Sequence, residues 1–114
     1  MPLPRIQRGE LWVVDLGYLG KVRPVLVVGI PFHDHERTLC IIVPHTTSLI
    51  GTRFEVKVTH SALAEGAFDV QQTAAIPAIK FVRRIGNLNP EQMRKVEAVL
   101  AQALGLKLAD SKPT

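Results

Sequence analysis

The sequence predicts a mainly β fold, a small and strongly bent antiparallel sheet or barrel followed by one C-terminal helix. Three observations predict it. Short β-branched, apolar runs recur along the chain, each bounded by glycine or proline, as strands joined by tight turns are. Helical spacing is clear only after Asn89. Apolar residues make up 46% of the 114 residues and charged ones 21%, enough hydrocarbon for one core and one domain over residues 1–114.

The first strand is expected at Gly9–Leu16, with Leu11, Val13 and Val14 around Trp12, which reads as a core or groove-lining residue. Gly17-Tyr18-Leu19-Gly20 is a glycine-flanked hairpin connection from which Tyr18 and Lys21 project. The second strand, Val22 to about Ile30, carries Arg23-Pro24-Val25-Leu26-Val27-Val28 and stops at Pro31. Proline has no N–H for a ladder, so Pro24 belongs at a strand start or edge. Arg23 then sits where the strand leaves the core. There it can offer its donor fork to a phosphate, or simply cover an apolar rim.

Phe32–Arg37 is a polar loop whose His33-Asp34-His35-Glu36 reads as a solvated turn, since adjacent loop positions rarely close a metal's coordination sphere. A third strand at Thr38–Val43 buries Cys40 as a small hydrophobe. It feeds Pro44-His45-Thr46-Thr47-Ser48, a dense set of hydroxyls and an imidazole that either caps a turn or binds a ligand. Arg53–Thr59 alternates Phe54, Val56 and Val58 with charges, the mark of a strand with one wet face. A short turn at Ser61–Gly66 and short strands in Ala67–Ile76 follow, broken by Pro77. Lys80, Arg83 and Arg84 lie on the strand Lys80–Leu88; a basic face of this kind is more often solvated than bound to phosphate.

Asn89-Pro90-Glu91-Gln92 is a helix start with a capping box, and Gly105 is its stop. Met93, Val96, Leu100, Ala103 and Leu104 form the stripe expected against the sheet. On that reading Leu100→Ala costs about 2–5 kcal/mol.

A net charge of +4 and a pI near 9.6 lean towards an anionic partner. One cysteine excludes an internal disulfide framework and suits a reducing cytoplasm. Neither a membrane-spanning run nor a signal peptide is expected.

The order of motifs adds to this. Arg8-Gly9-Glu10-Leu11-Trp12-Val13-Val14-Asp15-Leu16 followed by Arg23-Pro24-Val25-Leu26-Val27-Val28 resembles the opening of the MazF/PemK toxins of type II toxin–antitoxin systems. Val43-Pro44-His45-Thr46-Thr47-Ser48 with Phe54-Glu55-Val56 resembles the next block. Arg83-Arg84-Ile85-Gly86-Asn87-Leu88 and the helix to Gly105 resemble the last, so the similarity spans residues 8–105. The resemblance implies an SH3-like small barrel of the MazF/PemK/CcdB type, a homodimer, and a cytoplasmic, metal-independent endoribonuclease without cofactor. Its implied substrate is single-stranded RNA, cut by attack of a ribose 2′-hydroxyl, and a cognate antitoxin protein is its implied partner. The catalytic arginine and threonine of the family fall on Arg23 and Thr46. His45 is a candidate for proton transfer by its reference pKa, although strand alternation points it away from Thr46. Tyr18, Lys21, Thr47, Ser48 and Gln72 are the expected RNA contacts. Gln71-Gln72-Thr73-Ala74 stands at the family's Asp-Gln-x-Arg block, where Gln72 alone matches, and the first loop is short. These departures keep open an alternative, a non-catalytic or gyrase-targeting binding module on the same fold.

Overall fold

The computed structural model describes residues 2–17 and 21–107. Seven strands and one helix follow one another: β1 Glu10–Asp15, β2 Val22–Val27, β3 Leu39–Thr46, β4 Glu55–Val56, β5 Ala67–Asp69, β6 Ala74–Pro77, β7 Phe81–Asn87 and α1 Pro90–Leu104. All pairings are antiparallel, in the order β4-β5-β3-β2-β1-β7, with β6 also on β3. One edge of β3 is shared between β6, at Leu39–Ile42, and β5, at His45 and Thr46. That sharing bends the sheet. The strand path ends at β4 and at β7, so the expected bent sheet is present but does not close among the described residues.

The near-continuous apolar runs of β1, β2 and β3 follow from burial on both faces. Leu11, Leu26 and Val43 face one core, with Phe68 and, from α1, Met93 and Val96. Trp12, Val14, Val25, Val27 and Ile42 face the other, with Phe81. Trp12 is a core residue: its ring meets Phe81 edge-on at 5.6 Å, and Nε1–H donates to Glu10 at 2.9 Å. Cys40 is buried as expected, and burial pushes its thiol pKa up.

The helix forms as its termini predict. Asn89 accepts the Gln92 N–H at 2.8 Å, Gln92 Oε1 accepts the Asn89 N–H at 2.9 Å, and Gly105 closes the end with φ 69°. Arg8 fastens α1 to the sheet by donating from Nε to the Val28 carbonyl (2.9 Å) while pairing with Glu97.

Several features differ from the sequence expectation: Pro77 does not break β6 but ends it, paired with Leu39 at the sheet edge, and a 3-10 turn at Ala78–Lys80 delays β7 to Phe81. β3 runs through Pro44 and His45 to Thr46, because β5 offers His45 and Thr46 a partner strand. Only Glu55 and Val56 of the expected fourth strand pair, since the short β5 leaves the flanks without a neighbour. β2 ends at Val27, short of Ile30. The apolar stripe of α1 is shorter too: Met93, Val96 and Ala101 are buried, Leu100 is half-buried, and Leu104 is 62% exposed beyond the sheet.

Candidate functional site

β2 and β3 pair as Val25↔Pro44, Leu26↔Val43 and Val27↔Ile42. Extending that register by two residues towards the open end sets Arg23 opposite Thr46. Directly opposed residues of an antiparallel pair share a face. The face is the one of Val25, Val27 and Ile42, since side chains alternate along each strand. Pro24 lies between the last β2–β3 pair, Val25↔Pro44, and Arg23, and cannot donate a ladder bond.

Arg23 is half-buried, and among the described residues its guanidinium pairs with no carboxylate. It lines an open groove of about 540 Å³ together with Leu16, Lys21, Val22 and Gln72. Two cations, one amide and no acid make that lining attractive to an anion. Gln72 reaches the groove from a 3-10 turn, Val70–Gln72, that follows β5. Asp69 caps the turn by accepting the Gln71 N–H, and its second oxygen accepts from Gln72 Nε2 at 2.9 Å. Gln72, distant in sequence from Lys21 and Arg23, thus meets them in one place.

Thr46 is half-buried, and its Oγ1 accepts the Ser48 N–H at 3.0 Å. A hydroxyl that accepts in this way keeps its own proton to donate elsewhere. Thr47 and Ser48 are exposed beside it. The loop that follows is held by Glu55, which accepts the N–H groups of Ile50 (2.9 Å) and Gly51 (2.8 Å); these bonds hold its carboxyl below the usual carboxylate range.

His45 points to the other face. It is 4% exposed, its ring lies edge-on to Phe68 at 5.2 Å, its Nε2 has no hydrogen-bond partner, and burial lowers its pKa. The structure therefore separates His45 from the Arg23–Thr46 face, as alternation implied. Tyr18 lies outside the described residues. His33–Glu36 forms an exposed turn in which Glu36 accepts the His33 N–H at 2.7 Å. Among the described residues no three His, Cys, Asp or Glu are grouped to hold a metal ion. Lys80, which ends a 3-10 turn just before β7, and Arg83 and Arg84 on β7 are exposed, and Arg84 pairs with Glu10 at 3.5 Å.

Sequence reasoning missed Asp69. The signal was present, as an aspartate immediately before a turn is a common cap.

Known proteins share this fold. The family described as PemK-like, MazF-like toxin of type II toxin-antitoxin system matches residues 7–104. An endoribonuclease in complex with its cognate antitoxin from a mycobacterial species superposes with a TM-score of 0.77, at 24% identity, covering 91% of this chain and 99% of that one. The Mycobacterium tuberculosis toxin MazF-mt6 superposes at 0.73, with 25% identity over 87% of this chain and 99% of that one. A MazE–MazF structure from Deinococcus radiodurans superposes at 0.75, with 18% identity over 94% and 100%.

Proposed function

The chain belongs to the PemK-like, MazF-like toxin family of type II toxin–antitoxin systems, and from that premise we propose that it is an endoribonuclease toxin acting on single-stranded RNA. One observation carries the reading: Arg23 shares a groove with Lys21 and Gln72, and the β2–β3 register, continued two residues past Val25↔Pro44, puts Thr46 on the same face. A phosphodiester needs cations to bind it and fixed donors to stabilise the charge that builds up on its oxygens during attack.

In the proposed reaction the 2′-oxygen of one ribose attacks the adjacent phosphorus and the bond to the 5′-oxygen breaks. The products are a 2′,3′-cyclic phosphate and a 5′-hydroxyl, with the proton lost from the 2′-oxygen balanced by one gained at the 5′-oxygen. The Arg23 guanidinium clamps the phosphorane charge. Arginine is too basic to serve as a proton acceptor, so its part is electrostatic. Thr46 donates its free hydroxyl proton as a hydrogen bond to the same oxygens. Lys21, Thr47, Ser48 and Gln72 bind the flanking nucleotides. His45, turned into the core against Phe68, takes no part. DNA, which lacks the 2′-hydroxyl, is not cut.

The protein acts as a homodimer in the cytoplasm and is neutralised by a cognate antitoxin. Solved toxin–antitoxin complexes of similar fold support the antitoxin as partner. Among the described residues no helix is long and apolar enough to cross a membrane.

Gln71 and Ala74, in place of the acid and arginine of the family block, favour a second reading, a non-catalytic or gyrase-directed toxin. Incubation of purified protein with single-stranded RNA, followed by end-group analysis, separates the two. Cyclic-phosphate ends support the nuclease, and intact RNA alongside retained toxicity supports the alternative.

A further inference from the structure

We propose that Asp69 is a positioning residue of the groove: it fixes the Gln72 amide in one orientation and thereby restricts one nucleotide of the cut site to a single class of base, amino or keto. The inference rests on the ribonuclease reading above and specifies how the groove selects sequence.

Asp69 ends β5, with Oδ1 accepting the Gln71 N–H at 3.2 Å and Oδ2 accepting from Gln72 Nε2 at 2.9 Å. A carboxylate can only accept, so the nitrogen end of the Gln72 amide must face it. The amide cannot turn over without setting its carbonyl against a negative oxygen. Among the described residues no cation pairs with Asp69, so its charge is directed at this turn and this side chain. Gln72 itself is exposed and lines the groove beside Lys21 and Arg23. A carboxylate thus stands next to the groove's glutamine although residue 71 is not an acid.

The chemical consequence lies in what remains of the amide. With one N–H held by Asp69, Gln72 presents its carbonyl oxygen and the second N–H to an unstacked base. On their pairing edges adenine and cytosine carry an amino donor beside a ring-nitrogen acceptor. Guanine and uracil carry a carbonyl acceptor beside a ring N–H donor. A freely rotating amide matches either order by turning over, whereas a pinned amide matches one. The selection is therefore between A or C and G or U at one position.

Asp69→Asn is the diagnostic variant. Asparagine has the same shape and caps a turn equally well, but with its oxygen on the Gln71 N–H its NH2 group faces Gln72 and can only donate, so it favours the reversed amide. The full chain, Asp69→Asn and Gln72→Ala are each to digest a sequence-randomised single-stranded RNA pool, and the cut ends are to be sequenced. The unaltered protein is expected to prefer one class over the other at one position by on the order of tenfold. In Gln72→Ala that preference falls to within about twofold, in Asp69→Asn it shifts towards the other class, and adding Gln72→Ala to Asp69→Asn brings it to the Gln72→Ala level, as coupled residues require. Thermal melting checks that both variants fold, and exposed Gln72 keeps the test valid if the aspartate cap proves structural. Retention of the preference in Asp69→Asn, or an unaltered protein with no such preference anywhere, overturns the inference alone. Failure of the unaltered protein to cut RNA removes the ribonuclease reading, and this inference with it.

Discussion

Gly66 lies so close to Thr46 that a β-carbon on residue 66 would sit 2.1 Å from the Thr46 carbonyl oxygen. The approach occurs where Ala67 pairs with Thr46, so any side chain at 66 forces the β3 end away from β5. Gly66→Ala is expected to cost about 1–3 kcal/mol, the range for overpacking a fitted site, and to depress RNA cleavage by displacing Thr46. Melting temperature and cleavage rate measured on the same sample check this. A variant that melts normally and cuts normally would show that the Thr46 position is not critical.

His45 makes acid stability predictable in sign. Burial lowers its pKa in the folded chain from an ordinary 6.5, so the folded state resists a proton that the unfolded state accepts. Stability is then full above about pH 6.5 and declines as pH falls below it towards the folded value. The slope is up to about 1.4 kcal/mol per pH unit for one proton. Denaturant midpoints between pH 7.5 and 5 should decline in the native chain. His45→Phe keeps an aromatic ring against Phe68 and should flatten that part of the decline. The same variant should still cut RNA at neutral pH, because the ring lies off the Arg23–Thr46 face.

The sequence was legible where chemistry is local. Asn89 and Gln92 announced the helix start, Gly105 its end, and the runs around Leu11, Leu26 and Ile42 the strands that carry the cores. Arg23 stood out as a cation at the mouth of an apolar strand. Strand length was less legible, because it depends on the neighbour: β3 reaches Thr46 only because β5 pairs there, and β4 stops at Val56 for want of one. The Asp69–Gln72 bond was illegible as a groove feature, since nothing in the local pattern says that the turn after β5 faces Lys21 and Arg23.

Core substitutions should separate the central strand from the helix end. Leu11 is fully buried among both sheet and helix residues, whereas Leu100 is only half-buried at the edge of the same cluster. Leu11→Ala is expected to cost about 2–5 kcal/mol, while Leu100→Ala falls below the lower end of that range. Urea denaturation with an unchanged m-value checks both. Equal losses would mean that the stripe on α1 extends further than Leu104 and its exposure indicate.

Arg23 and Thr46 supply the most direct test of mechanism. Removing one transition-state donor typically lowers turnover by about 10²–10³, or roughly 2.7–4 kcal/mol of barrier. Arg23→Ala should show a loss of that size with little change in melting temperature, since the guanidinium has no carboxylate partner among the described residues. Arg23→Lys should recover little of it, because an ammonium is a point charge without the planar fork that spans two phosphate oxygens. Thr46→Ser keeps a hydroxyl able to accept the Ser48 N–H and donate its own proton, and should retain most activity. Thr46→Val keeps the branched shape but loses the donor, and should fall as Arg23→Ala does. Single-turnover cleavage of one short RNA measures all four. If Thr46→Val cuts as fast as the native chain, the hydroxyl is not a donor in the reaction and the paired-residue mechanism fails.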